Sequence, residues 1–419
     1  MISVRNRLQP LSGNRWLLLL LLAIALIAAA CSPKLRPVTV APVKKEPEKP
    51  VVKTQPVKEP EKPAGPKVST ISLLLPFDLD HLAPGSPYTT VSLREADIAL
   101  DYYRGFKLAL DSLTAQGYNF KLLVYDTRGD KAQAHSLANN PDVKSSGLIV
   151  GPVFPEEMKA FIGNYGNGHQ QIVSPLSPSA PSAYKNPQLI TIIPPLEYHA
   201  WAAARYINDK IKPQKIFILR SGYSDENDFI IPFKRAIDSL SKKNTKYIDI
   251  TVIHGQLGSL LPELSANSKN VFVIPAKDQH FLTVTLRALD TLNNTYPVTV
   301  FGHPNWINYP FLKADLLQRL DTHITSAEHV DYKAAGTIAF IRNYRQAYHA
   351  EPTAYAIKGF DEGLYFGGLL ATDGLKNLTA TDFTGLHNSF SLQKRQGQGW
   401  VNTYVTVYKY ANFELKRVE

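Results

Sequence analysis

From residue 68 onward, short apolar runs alternate with stretches in which apolar residues recur every three or four positions. The runs ISLLLPF (71–77), FKLLVYD (120–126), GLIVGPV (147–153), QIVSPL (171–176) and LITII (189–193) predict strands. The rhythm resumes with KIFIL (215–219), YIDITVI (247–253), NVFVIPA (270–276), PVTVFG (297–302) and HITSAE (323–328). Between them, Ile98, Tyr102, Phe106, Ala109 and Leu113 step by four and three, which is one face of a helix. Further helices are expected at 196–210, 226–242, 279–292 and 311–320. A long helical region at 334–372 is broken by Pro352, and WVNTYVTVYKY (400–410) reads as a hairpin. Near-continuous apolar strands separated by helices imply parallel sheets covered on both faces. The expected fold class is therefore α/β, with two Rossmann-like lobes, and the chain passes between them at Leu189–Pro195. Ligands of open α/β sheets bind beyond the carboxyl ends of the strands, so two facing lobes place those ends along one cleft.

Before residue 68 the pattern is different. Arg5, Arg7 and Arg15 precede an unbroken apolar run, Trp16 to Ala30. Fifteen helical residues span roughly 22 Å, short of a ~30 Å hydrocarbon core, so a secretory signal is the better reading than a spanning helix. Residues 32–67 hold nine prolines and no aromatic residue, and they repeat themselves as PVKKEPEKP (42–50) and PVKEPEKP (56–63). Proline removes backbone donors and fixes φ, so this stretch predicts a polyproline-type spacer with a reach on the order of 110 Å.

Composition narrows the function. The chain of 419 residues is 44% hydrophobic and 20% charged, an ordinary globular balance. Its formal charge of +10 is concentrated at the start: residues 1–67 hold 12 Lys/Arg against 4 Asp/Glu, and the rest hold 34 against 32. A near-neutral folded part gives no reason to expect nucleic acid as a partner. The single cysteine, Cys31, excludes an intrachain disulfide and a four-cysteine zinc site. Catalytic signatures are missing. Ser182–Lys185 and Ser239–Lys242 both fit S-x-x-K, but neither has the partner motifs of a penicillin-binding site. GNYGNGH (163–169) does not fit a dinucleotide fingerprint, and the histidines form no metal spacing. No enzyme activity, cofactor or metal is expected.

Two resemblances follow from these residues. Ala28-Ala29-Ala30-Cys31 resembles the lipobox of a bacterial lipoprotein signal, with Ala28 where Leu is usual. It implies cleavage before Cys31, lipidation of that cysteine and anchoring in the periplasm. Ser32 and the absence of a following acidic cluster point to the outer membrane. The region from about Thr70 to Val418 resembles the type I periplasmic-binding-protein fold, in its branched-chain amino-acid receptor branch. ISLLLPF, DYYRGFKLALDSL (101–113), FKLLVYDTRGD (120–130), GLIVGPV, QIVSPLSPSAP (171–181), Phe340–Tyr344, Pro352 and YAIKGFDEG (355–363) carry the match by their order. The expected organisation is a signal peptide at 1–30, a lipidated Cys31 and linker at 31–67, and a bilobal domain at 68–419. Its first lobe comprises about 68–195 plus 330–385, and its second about 196–329 plus 386–419.

What the resemblance implies is closure of two lobes on a small polar, amino-acid-like solute, for uptake or sensing. Envelope lipoproteins of this fold that regulate peptidoglycan synthases imply the alternative of a protein partner. The loops depart from the amino-acid receptor pattern: Pro155 and Pro178 stand where hydroxyl residues are usual. Strand-end candidates for ligand contact are Asp78, Ser174, Ser177, Ser179, Tyr223, Trp306 and Glu328. Asp78 would pair an ammonium or serve a turn. The serines would donate hydroxyls to an anion or belong to ordinary loop chemistry. Tyr223 would form an aromatic wall, Trp306 a stacking surface or a core residue, and Glu328 would neutralise an amine.

Overall fold

The computed structural model describes residues 67–82, 89–166, 168–178, 181–379 and 382–419. The signal segment, Cys31 and the linker lie outside them. All described residues belong to one compact unit, Ala64–Glu419, within which both sheets and all hydrophobic clusters close. The unit therefore carries the cores it needs to fold by itself.

The chain runs β1 (Val68–Leu75), α1 (Thr90–Thr114), β2 (Asn119–Asp126), α2 (Lys131–Leu137), α3 (Pro141–Ser145), β3 (Leu148–Val150), α4 (Pro155–Tyr165), β4 (Gln171–Ser174) and β5 (Leu189–Thr191). It continues with α5 (Leu196–Tyr206), β6 (Lys215–Arg220), α6 (Asn227–Leu240), β7 (Lys246–Thr251), β8 (Asn270–Ile274), α7 (Gln279–Leu292), β9 (Val298–Gly302), α8 (Ala314–Arg319) and β10 (His323–Ser326). Then come α9 (Ala335–Tyr348), α10 (Ala354–Thr372), β11 (Phe383–Thr384), β12 (Ser389–Phe390), β13 (Leu392–Arg395), β14 (Gly399–Asn402), β15 (Thr406–Ala411) and β16 (Glu414–Arg417).

Two seven-stranded sheets result, ordered β13-β14-β5-β4-β3-β1-β2 and β16-β15-β10-β9-β8-β6-β7, with β11 and β12 as a separate pair. Each sheet is parallel except at the edge that the C-terminal strands supply. Burial on both faces explains the unbroken apolar runs. In β1, Ile71, Leu73 and Leu75 face a cluster with Phe106 of α1 and Phe366 of α10. Leu74 faces the opposite cluster with Met158 and Phe161 of α4. The second sheet repeats this: Phe217 and Leu219 face Leu282 and Leu286 of α7, while Ile216 and Ile218 face α5 and α6.

Local chemistry sets the helix ends. Thr89 and Ser92 form a reciprocal cap at the start of α1, and the Asp278 and Thr353 side chains cap α7 and α10. Pro352 does separate the late helical region into α9 and α10.

The C-terminal expectation needs correction. Residues 400–410 are not a hairpin, and 386–419 do not all join the second lobe. β13 and β14 pair in the first sheet, beside β5, and only β15 and β16 belong to the second. The reason is local: residues 403–405 offer no Gly, Asn or Asp to turn the chain back. The tight turns fall at Gly397 and at Asn412–Phe413, where φ is positive, so the hairpins are β13–β14 and β15–β16.

Candidate functional site

Three segments carry the chain between the two sheets: 192–195, 327–334 and 403–405. The first and third are tied together by Asn402, which is 1% exposed. Its Nδ2 donates to the carbonyls of Ile192 and Ser389, both at 2.9 Å, and its Oδ1 accepts from the N–H groups of Ser391 (2.9 Å) and Tyr404 (3.0 Å). All four hydrogen-bonding positions of the amide are filled, which fixes where the segments touch. Beside this junction, His329 donates its N–H to the His387 carbonyl at 2.9 Å, and Glu328 bridges to Asn388. The 386–388 loop is held in turn by Asp361 of α10, whose carboxylate accepts three successive N–H groups at 2.7–2.8 Å. Gly385 is required there, because a Cβ would lie 2.4 Å from Asp361.

The loops at the carboxyl ends of the strands are largely satisfied from within. On the first lobe, Asp126 accepts the N–H groups of Asp78 (3.0 Å), Leu79 (2.9 Å) and Arg128 (2.8 Å). Asp78, 7% exposed, directs its own carboxylate to His81 at 2.5 Å. On the second lobe, Glu226 accepts from the Ser221 N–H (3.0 Å), the Ser221 hydroxyl (2.7 Å) and the Gly222 N–H (3.2 Å). Lys277 pairs with Asp225 at 2.5 Å. These are the donors that a ligand anion would seek, and the protein's own carboxylates hold them. Pro155 removes a further N–H at the start of α4, and Glu157 in the same first turn is buried. Burial pushes the Glu157 carboxyl up to about 7, against a hydrogen bond from the Thr127 hydroxyl.

The expected site residues divide. Ser174 ends β4 and Ser177 follows three residues later, 1% and 3% exposed, and the Ser174 hydroxyl has no hydrogen-bond partner among the described residues. Ser179 lies outside the described residues. Tyr223 is 61% exposed on the loop after β6. Trp306 is not a stacking surface: it is 1% exposed in the second-lobe core, and its Nε1 donates to the Ala276 carbonyl at 2.9 Å. Gly302 leaves it room, since a Cβ there would lie 2.2 Å from the indole. Glu328 is not a free acid. It pairs with Lys358 of α10 at 2.9 Å. Burial works against its ionised form, but Lys358 and the nearby His387 outweigh it and hold the carboxyl below its ordinary value.

Two buried imidazoles, His199 and His303, are held below their ordinary value. Burial lowers His199 of α5 to about 4, where its Nδ1 lies 3.1 Å from the Thr325 hydroxyl. Burial, with the charge of Lys277 added, lowers His303 to about 3. Asp126, at the end of the second strand, reads from the sequence as a turn residue and serves as one, whereas Glu226 and Lys358 escape sequence reasoning because their roles depend on which backbone or crossing segment they meet. The one available signal is position: Asp126 and Glu226 both sit where a strand gives way to a loop or helix.

Among the described residues, no cluster of three metal-ligating side chains and no helix long and apolar enough to cross a membrane is found. Cavities of about 350, 270 and 340 Å³ lie on α9 and around α7 and α8, on the helical flanks and not at the strand ends.

No protein-family model matches the chain, and no curated protein matches it either. Solved structures do. A Rhodospirillum rubrum protein assigned to branched-chain amino acid ABC transport matches with a TM-score of 0.61 at 15% identity. An ABC transporter substrate-binding protein from Desulfitobacterium hafniense, in complex with Leu, matches with 0.54 at 16%. The C-domain of LpoA from Haemophilus influenzae, a regulator of PBP1A, matches with 0.54 at 12%. Each alignment covers 84% of this chain and 100% of the other. Two matched sheets, the helices on both their faces and the three crossing segments give this chain the two-lobed type I periplasmic-binding-protein fold.

Proposed function

We propose that this chain is a non-enzymatic envelope protein, anchored through a lipidated Cys31, that closes its two lobes on a small polar ligand. The observation that carries this reading is the junction at Asn402. Three short segments join two otherwise separate sheets, so a swing of one lobe against the other would be taken up by backbone rotations in them. A ligand that touches both lobes only when they are together shifts the population toward closure. With the loop N–H groups occupied by Asp126 and Glu226, recognition falls to side chains: Ser174 and Ser177 on one lobe and Tyr223 on the other. This favours an uncharged or zwitterionic ligand over a simple anion.

The same internal satisfaction favours a second reading, an envelope scaffold that regulates peptidoglycan synthesis through a protein partner. The fold shared with the LpoA C-domain supports it. One experiment separates them: melting of residues 68–419 against amino acids, short peptides and muropeptides. The receptor reading expects a rise equivalent to about 2.7 kcal/mol at a hundredfold excess over Kd. A flat screen, with retention of a cell-wall synthase on the immobilised protein, overturns it in favour of the scaffold.

A further inference from the structure

We propose that two side-chain contacts bridging the lobes, Glu328–Lys358 and Tyr198–Arg395, act as clasps that set the resting angle between them. This inference rests on the reading that the lobes swing about the Asn402 junction.

Glu328 follows β10 of the second sheet by two residues, on the middle crossing segment. Lys358 belongs to α10, which packs on α1 and β1 of the first lobe. The ion pair therefore ties the middle crossing segment, which a swing must bend and which also bridges to Asn388, to α10 of the first lobe. It is sheltered, with the Lys358 side chain 13% exposed and Glu328 28%. His199 and His387 adjoin it, and burial lowers the pKa of both imidazoles. Lys358, at 2.9 Å, is the nearest cation and, against burial, the first cause of the lowered Glu328 carboxyl. Separating the two leaves a charge in a poorly solvated place, so the pair resists any motion that parts it.

The second contact is separate. Arg395 lies on β13 of the first sheet and Tyr198 on α5 of the second lobe. The Arg395 guanidinium donates to the Tyr198 hydroxyl through Nε at 3.0 Å and through a terminal nitrogen, and it sits 5.5 Å from the ring centroid. A planar cation that both donates to the hydroxyl and lies over the ring holds one orientation. α10 adds a fixed base: Asp361 pins the 386–388 loop, and Glu362 accepts from Tyr102 of α1 at 2.7 Å. Lys358 works from this rigid platform.

The test uses residues 68–419, which hold no native cysteine. Spin labels at Ser112→Cys on α1 and Ser239→Cys on α6 report the distance between lobes. Glu328→Gln removes the charge of one clasp, and Tyr198→Phe removes only the hydroxyl of the other. Each is expected to broaden the distance distribution about twofold and move it to longer separations. The swap of Glu328→Lys with Lys358→Glu is expected to restore the native distribution. Distributions unchanged in both single variants, with melting transitions showing both folded, overturn the proposal. A change in only one removes the other contact from it. If Glu328→Gln fails to fold, Tyr198→Phe, at a partly exposed site, still decides. A native distribution that no small ligand alters, but that the variants do, refutes the small-ligand reading and leaves the clasps standing.

Discussion

Glu157 is 1% exposed and meets a threonine hydroxyl where an ionised carboxyl needs more. Its folded value near 7 lies above the ordinary 4.5. The folded state therefore holds this proton more tightly than the unfolded state does. The stability it contributes is fully present below about pH 4.5 and is lost as pH rises through 7, up to about 3 kcal/mol. Glu157→Gln, which mimics the protonated acid, should leave melting near pH 4.5 unchanged and raise it at pH 8; equal effects at both pH values would refute this. The buried histidines act in the opposite direction. His199 and His323 near 4 and His303 near 3 all lie below the ordinary 6.5. Their stability is present above about pH 6.5 and lost as pH falls through 4 for His199 and His323, by about 3 kcal/mol each at the limit, and through 3 for His303, by about 5 kcal/mol. His323 stacks on Phe301 at 4.8 Å between centroids, so His323→Phe should keep the packing and flatten the acid limb of the melting profile. At this scale the sequence is least legible. Ser174 is visible as a hydroxyl at a strand end, but nothing along the chain shows that Asp126 takes the N–H groups of residues 78 and 79. Nor does it show that Glu328 already has its amine. Those facts depend on contacts between residues distant in sequence.

The helix pair α1 and α10 shows what the sequence does convey at the scale of elements. Apolar spacing predicts both helices, and Pro352 and Thr353 locate the start of the second. What spacing does not show is how closely they approach. A Cβ on Gly105 would lie 1.8 Å from the Ala356 carbonyl, and one on Gly359 would lie 2.2 Å from the Tyr102 carbonyl. The helices cross backbone to backbone, through glycines at 359, 363 and 367 spaced one turn apart. Gly359→Ala should therefore cost about 3 kcal/mol in chemical denaturation, whereas Gly368→Ala, which meets open space one position along, should be neutral or stabilising. Strands are legible for the same reason that their sheets are parallel: burial on both faces leaves an apolar run, not an alternation. The reading of 400–410 as a hairpin fails because period-two patterning cannot say whether two neighbouring strands share a sheet. Only the absent turn residues carry that information.

For the molecule as a whole, two lobes, their order and the first crossing follow from the doubled strand–helix rhythm, while the third crossing does not. The anchor is a separate expectation, resting on residues outside the described structure. Metabolic labelling with an alkyne fatty acid should mark the mature protein and fail with Cys31→Ala; a labelled variant would place the lipid elsewhere or show the labelling to be nonspecific.

The C-terminal strands also bear on biogenesis. β13 and β14 complete the border of one sheet and β15 and β16 the border of the other. A nascent polypeptide emerging from its amino end must hold both half-built sheets with a bare flank until its final thirty or so residues arrive. Neither half can mature ahead of the other, and a premature stop after Ser391 should abolish the cooperative melting of the entire body instead of sparing one half.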